Sequence, residues 1–546
     1  MKSSANRTLR RWIARAACLA AASAASAASA QSLTFEVFIP GDGLHGIHGL
    51  AAAPDGGLLV GSVVGQSIYA VDPATGATRV EVPPPLGMAD DLAFGPGGQL
   101  VWTSFFLGKV HRRAPDGSIR ELAAGLPGIN SIAFAPDGRL FATQVFLGDA
   151  LHEIDPRGER APRKVLENLG GLNGFEFGPD GLLYGPLWFK GEVVTVDVDR
   201  AQVRTLARGF RIPAAVNFGP EGDLWVVDSA AGEVVRLNNE SWEKMVVARL
   251  PAAIDNLAFD ATGRLFVTVM AENAVFEIDR TTGAARQVRA SALGAPSDLA
   301  LWSDGPRTTL YVADTFAARA IDVATGQITD LARIAGSELE FPSGIDVDED
   351  RVYLTSWFGG AVQTLDRRTG HILRTLHDFA GPYDVAALPD GSLIVAELAA
   401  GRLTRVGAGD EPPRHVLAEG LAAPTALTRG PDGVIYVTLS ATGEVLAVDP
   451  AGKTTRRVTS GLNGPEGLAV GPSGEVIVVE TGARRLTAIH PATGEARTLA
   501  ERLPVGLAAP AGAPPPFVLS GVAVGPEGTV FISSDLEDAI YRARLQ

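Results

Sequence analysis

The stretch GINSIAFAPDGRLFATQVFLGDALHEID, Gly128 to Asp155, decides the fold. It predicts three short strands, Ser131–Ala135, Leu140–Thr143 and Leu151–Asp155, in which small and β-branched apolar residues alternate by two. Pro136-Asp137-Gly138 turns the first strand into the second. Glycine suits the third turn position because it accepts positive φ without a Cβ clash.

The unit repeats along the chain. Its turn glycines fall at Gly56, Gly98, Gly138, Gly181, Gly222, Gly263, Gly305, Gly391, Gly433, Gly474 and Gly528, and a degenerate turn near Asp350 fills the missing place. A period of about 42 residues with strands, turns and no helical pattern is that of propeller blades. Second turns such as Asp72–Gly76 and Asp366–Gly370 lead into a fourth, more polar strand. Six blades close around a narrow channel that their inner strands can line, whereas twelve would leave a very wide axis. The expected fold is therefore all-β: two tandem six-bladed propellers over residues 32–290 and 291–546, built from twelve four-stranded repeats. An isolated strand at Leu33–Phe38 is expected to seal a blade as an outer strand, leaving no open sheet edge.

Residues 1–30 read as a signal peptide. Lys2, Arg7, Arg10, Arg11 and Arg15 precede an apolar Ala/Ser run that ends at Ala28-Ser29-Ala30. Arg10-Arg11 leaves both general and twin-arginine export open. The expected location is periplasmic or secreted. The one cysteine, Cys18, lies inside this segment, so the mature chain has no thiolate metal site and no disulfide. Residues 1–30 hold five positive charges and no negative one, so the net charge of −15 becomes −20 without them. Such a surface disfavours nucleic acid and anionic lipid. No second apolar run approaches the length of a membrane span.

Chain direction sorts the loops. One face of each ring carries tight Pro-Asp-Gly and Asp-Pro-x-Thr-Gly turns, and the other carries irregular loops, where sites belong. On that irregular face one residue recurs where each inner strand begins. In the first ring it is His48, Asp90, Asn130, Asn173, Ala214 and Asp255; in the second, Ser297, Ser343, Tyr383, Thr425, Glu466 and Ser520. Two carboxylates, two amide carbonyls and an imidazole on one axis suit Ca²⁺, Mg²⁺ or Mn²⁺. The competing reading is a hydrated channel whose Asn and Asp serve only turn chemistry.

The pattern x-N-G/S-φ-x-φ-x-P-D-G-x-L-φ resembles the gluconolactonase / senescence-marker-protein / luciferin-regenerating-enzyme family, each half separately. That resemblance implies an axial divalent metal held by a Glu, two Asn and an Asp. Asn130 in GINSIAFAPDG and Asn173 in GLNGFEFGPDG match the two Asn, and Asp255 in AIDNLAF matches the Asp. The first ring has no Glu, so Asp90 or His48 stands in for it. Glu466 in GPEGLAV resembles the family's Glu motif without Asn partners in its own ring. The implied metal is Ca²⁺, with Mg²⁺, Mn²⁺ or Zn²⁺ as alternatives, and the metal set is Asp90, Asn130, Asn173 and Asp255. The implied activity is hydrolysis of a lactone or sugar-derived ester in the first propeller, with Asp255, Asp90 or His48 as base. The motif is shared in part with NHL repeats and streptogramin lyases. A non-catalytic binding propeller of the cell envelope, or a lyase-like enzyme, therefore stands beside the hydrolase. The second propeller is expected to stabilise the first or to hold an envelope protein.

Loops after the second strands carry Phe105, Phe106, Phe146, Trp188 and Phe189, and Trp357-Phe358 in the other half. They are expected either to wall an apolar substrate pocket or to pack neighbouring blades. The Pro/Ala-rich insertion Arg502–Phe517 is read as a lid or a linker. Glu397 and Glu480 are read as solvated face residues. Ser62 and Ser104 have no base partner visible in sequence.

Overall fold

The computed structural model describes residues 32–409, 412–452 and 454–545; the signal-peptide expectation for residues 1–30 lies outside them. Twelve four-stranded antiparallel sheets follow one another along the chain and form two six-bladed propellers. The third blade shows how local sequence makes each one. Its strands are Ile129–Phe134, Leu140–Gln144, Ala150–Ile154 and Arg163–Glu167. At the first turn Gly138 has φ 86° and its N–H donates to Ala135 O at 2.9 Å. A Cβ at Gly138 would meet no atom, so the need for glycine there is conformational alone. The second strand is buried along most of its length, while the fourth is largely exposed and carries the charges. Apolar residues of adjacent blades interlock, as where Phe141 and Phe177 lie 5.2 Å apart between the third and fourth.

Each ring closes on itself. Inner strand Ile47–Ala52 of the first blade packs on Ile254–Phe259 of the sixth, and Thr268 Oγ1 donates to His48 O at 2.8 Å across that seam. Strand Pro296–Asp304 of the seventh blade packs on Val522–Val524 and Thr529–Ser534 of the twelfth, where Leu519 N donates to Ser297 Oγ at 3.2 Å. The sealing strand goes to the far ring. Glu36–Ile39 pairs antiparallel with Ala539–Arg544, Glu36 opposite Arg542, as the outer strand of the twelfth blade. The first span was expected to begin at residue 32, yet these residues pack with the second ring. The two propellers are thereby tied twice, once by the continuous chain and once by this strand.

Buried carboxylates clamp neighbouring inner strands. Asp91 accepts from Ile132 N at 3.1 Å, Asp298 from Ile345 N at 3.0 Å, and Asp384 from Leu427 N at 2.6 Å. Each satisfies a backbone donor at a position where the pleat leaves it unpaired. Glu397 and Glu480 depart from their expected place on a solvated face. Both side chains are fully buried, each in a forked pair with Arg402 or Arg485, and each accepts a backbone N–H, from Ala380 and Asn463. A carboxylate whose lone pairs are all taken can be buried ionised, and these hydrogen bonds hold both groups below the usual range.

The irregular faces of the two rings meet. Buried Arg319, in the seventh blade, pairs with Asp314 at 2.6 Å and donates to Ala271 O in the sixth. Phe316 of the second ring lies edge-on to His48 of the first, centroids 5.6 Å apart.

Candidate functional site between the propeller mouths

A cavity of about 550 Å³ lies where the two channel mouths face each other. His48, Asp90, Asn130, Asn173 and Asp255 line it from the first ring, as do Phe105, Phe106, Phe146 and Trp188. Phe189 does not line it: its residue is exposed and its ring meets Phe146 edge-to-face, centroids 5.7 Å apart. Second-ring residues face them across the cavity, among them Phe316, Phe341, Trp357, Phe358 and Phe517.

The polar floor is compact. His48, Asp90 and Asp255 each offer one ligand atom, and those atoms lie within 4.8 Å of one another. His48 Nδ1 stands 3.6 Å from Asp255 Oδ2. Asn130 Nδ2 donates to Asp90 Oδ2 at 2.6 Å. The amide oxygens of Asn130 and Asn173 both face Ser131 Oγ, at 2.8 and 2.9 Å, and Asn173 Oδ1 also takes the Gly174 N–H at 3.0 Å. One hydroxyl has one proton, so Ser131 satisfies these two carbonyls one at a time. The cluster that converges is therefore one imidazole and two carboxylates, with the two amides directed at Asp90 and Ser131.

Burial sets the electrostatics. Desolvation pushes Asp255 up to about 7, with Asp91 adding repulsion. It also raises Asp90 well above the carboxylate range, with Asp255 and Asp91 adding to the shift. Desolvation lowers His48 to about 4, so the imidazole is neutral at neutral pH, the form that ligates. Two carboxylates this close are costly unless a proton or a cation lies between them. The donor set fits a divalent metal on that ground.

Other expected positions serve structure. Glu466 accepts from Thr481 Oγ1 at 2.7 Å and Ser520 N at 2.9 Å, and burial raises it to about 8, so it braces two blades away from the cluster. Ser104 meets His111 Nδ1 at 3.1 Å but is fully buried, so no substrate reaches the pair. The insertion does contribute: Phe517 lines the cavity, with Val518 directly after it, and Gln66 of the first ring donates to Ala508 O at 2.6 Å. The sequence reading missed Asp91 and Ser131 beneath the site and the facing rings Phe316 and Phe341. Asp91, Asp298 and Asp384 each follow a mouth residue directly, a recurrence that was visible.

Fold and site define a double six-bladed propeller with a cavity between its mouths and an Asp/Asp/His cluster at one end. No protein-family model matches the sequence, and no curated protein does. Among solved structures, the extracellular domain of BT4673 from B. thetaiotaomicron is 11% identical over 95% of this chain and 84% of its own, with TM-score 0.33. XC5397 from Xanthomonas campestris, described as a gluconolactonase, is 19% identical over 45% of this chain and 90% of its own, with TM-score 0.37.

Proposed function

We propose that this protein is a divalent-metal-dependent hydrolase that opens a lactone or related ester at the mouth of its first propeller. The observation that carries the reading is the convergence of His48, Asp90 and Asp255 within 4.8 Å at the floor of a cavity. These three residues would hold the metal. The imidazole weighs for Mn²⁺ or Zn²⁺ over the Ca²⁺ expected from sequence, since Ca²⁺ takes oxygen ligands. Such an ion, when bound, supplies a Lewis acid for the carbonyl. The chain's own groups do the rest. Asn130 orients Asp90 by its amide, and Phe316 holds the His48 ring edge-on. A carboxylate oxygen of Asp255 or Asp90 left free of the ion would take the proton from water. Water adds to the carbonyl carbon, the C–O bond to the ring oxygen breaks, and that oxygen leaves protonated as the alcohol of a hydroxy acid.

The second reading, a ligand-binding propeller without chemistry, draws on the aromatic walls, which need no metal to hold a ligand. A periplasmic or secreted location, propeller spans meeting near residue 290, and an envelope partner on the second ring's outer faces belong to the same proposal. Metal analysis of the mature protein, followed by ester and lactone hydrolysis with and without chelator, tests it. Asp90→Asn and Asp255→Asn should each lower the rate by about a hundredfold or more, the scale of losing a general base or ligand, with Glu466→Gln near wild type. Loss only in Glu466→Gln moves the site to the second ring.

A further inference from the structure

The two propellers build one chamber, and its walls differ sharply from its floor. Polar groups of the first ring gather at one end. The remaining walls are largely apolar and aromatic and come from both rings, with exposed Ser337, Glu338 and His377 at their solvent edge. Phe106 of the first ring meets Phe358 edge-to-face at 5.9 Å and 88°, and meets Phe517 of the insertion at 5.4 Å and 88°. Phe341 meets Phe358 at 5.4 Å, and Phe146 meets Trp188 at 5.5 Å. At about 550 Å³ the space falls in the range that takes a drug-sized ligand.

We propose that the chamber selects an uncharged, ring-bearing apolar ester or lactone, held by both propellers, with its single polar group directed at His48, Asp90 and Asp255. The inference rests on the hydrolytic reading only for the orientation of that polar group. A polyhydroxylated sugar lactone is the poor fit. Each hydroxyl placed against these rings would exchange its water partners for an aromatic face. A flat apolar ligand instead gains area burial and edge-to-face contacts with the walls. Charge points the same way. Glu338 and Glu340 on the second-ring lining and a net charge of −15 on the chain disfavour an anionic ligand.

The test separates binding from turnover. The mature protein is titrated with the neutral fluorophore N-phenylnaphthylamine, whose emission rises in apolar surroundings. Phe146→Ala alters the first-ring wall at a partly exposed residue, and Trp357→Leu alters the second-ring wall while keeping an apolar side chain there. We expect saturable one-to-one binding that each variant weakens by about tenfold, the loss of one aromatic wall, at unchanged circular dichroism. Specificity is read as kcat/KM for a phenyl ester, a butyrate ester and gluconolactone, and should fall in that order. Probe binding that is absent, or equal in both variants and wild type, overturns the proposal, as does a preference for gluconolactone. Probe binding without turnover of any ester leaves the chamber assignment standing and removes the hydrolase. Turnover of gluconolactone without probe binding does the reverse.

Discussion

Replacing Asp90 by Asn should make the metal-free protein more stable and the metal-loaded protein less stable than wild type. The side chains are nearly isosteric, and Asn Oδ1 can still accept from Asn130 Nδ2, the contact of 2.6 Å. What changes is charge. Within 4.8 Å of each other, Asp90 and Asp255 as carboxylates would repel by about 3 kcal/mol or more at an effective dielectric near 20, so without a cation one of them takes up a proton. Taking up that proton costs less than the bare repulsion, and Asn needs none, so a gain of about 1–3 kcal/mol is expected in chelator. A bound divalent ion reverses the order. At a concentration about a hundredfold above Kd it stabilises wild type by about 2.7 kcal/mol, whereas the variant, short of one carboxylate, binds too weakly to gain as much. Equilibrium urea unfolding, with chelator and with Mn²⁺, measures all four values. If wild type and variant gain equally from the ion, or if wild type is the more stable in chelator, the cluster does not hold a metal through Asp90.

Two further predictions follow from buried groups elsewhere. Burial raises half-buried Glu176 from 4.5 to about 6, although it accepts from Phe218 N at 2.6 Å and Asn217 Nδ2 at 3.2 Å. A folded-state value above the unfolded one contributes stability that is complete below 4.5 and lost as pH rises through about 6. Glu176→Gln should therefore match wild type at low pH and exceed it at pH 8 by up to about 2 kcal/mol; an unchanged gap between the two pH values would refute the shift. Arg319→Met leaves Asp314 buried without its cation and removes the bond to Ala271 O across the rings. Urea unfolding should show a loss of about 3–5 kcal/mol, and a loss under 1 kcal/mol would mean that the pair is not part of what joins the propellers.

The blade was legible from residues alone because its determinants are local. Alternation by two, Pro-Asp-Gly turns and polar fourth strands act within about 42 residues, so the repeat, the count of twelve and the division into two rings follow without tertiary information. The mouth positions were also readable, because strand direction and blade periodicity place His48, Asp90, Asn130, Asn173 and Asp255 on one axis. What those side chains meet was not. Asn130 and Asn173 turn their oxygens to Ser131, since a buried hydroxyl and a backbone N–H must be satisfied there. Glu397 and Glu480 look like surface acids in sequence and are buried, because each finds an arginine five residues on and a backbone donor seventeen residues back. The largest difference lies between the rings. No periodic signal says that Glu36–Ile39 crosses to the twelfth blade, or that Phe106 meets Phe517. Those contacts join residues hundreds of positions apart, and they form because an open sheet edge and two aromatic-rich loop faces are costly to leave in water. Local pattern determined the propellers; burial of surfaces that neither ring could cover alone decided that their mouths face each other and enclose the site.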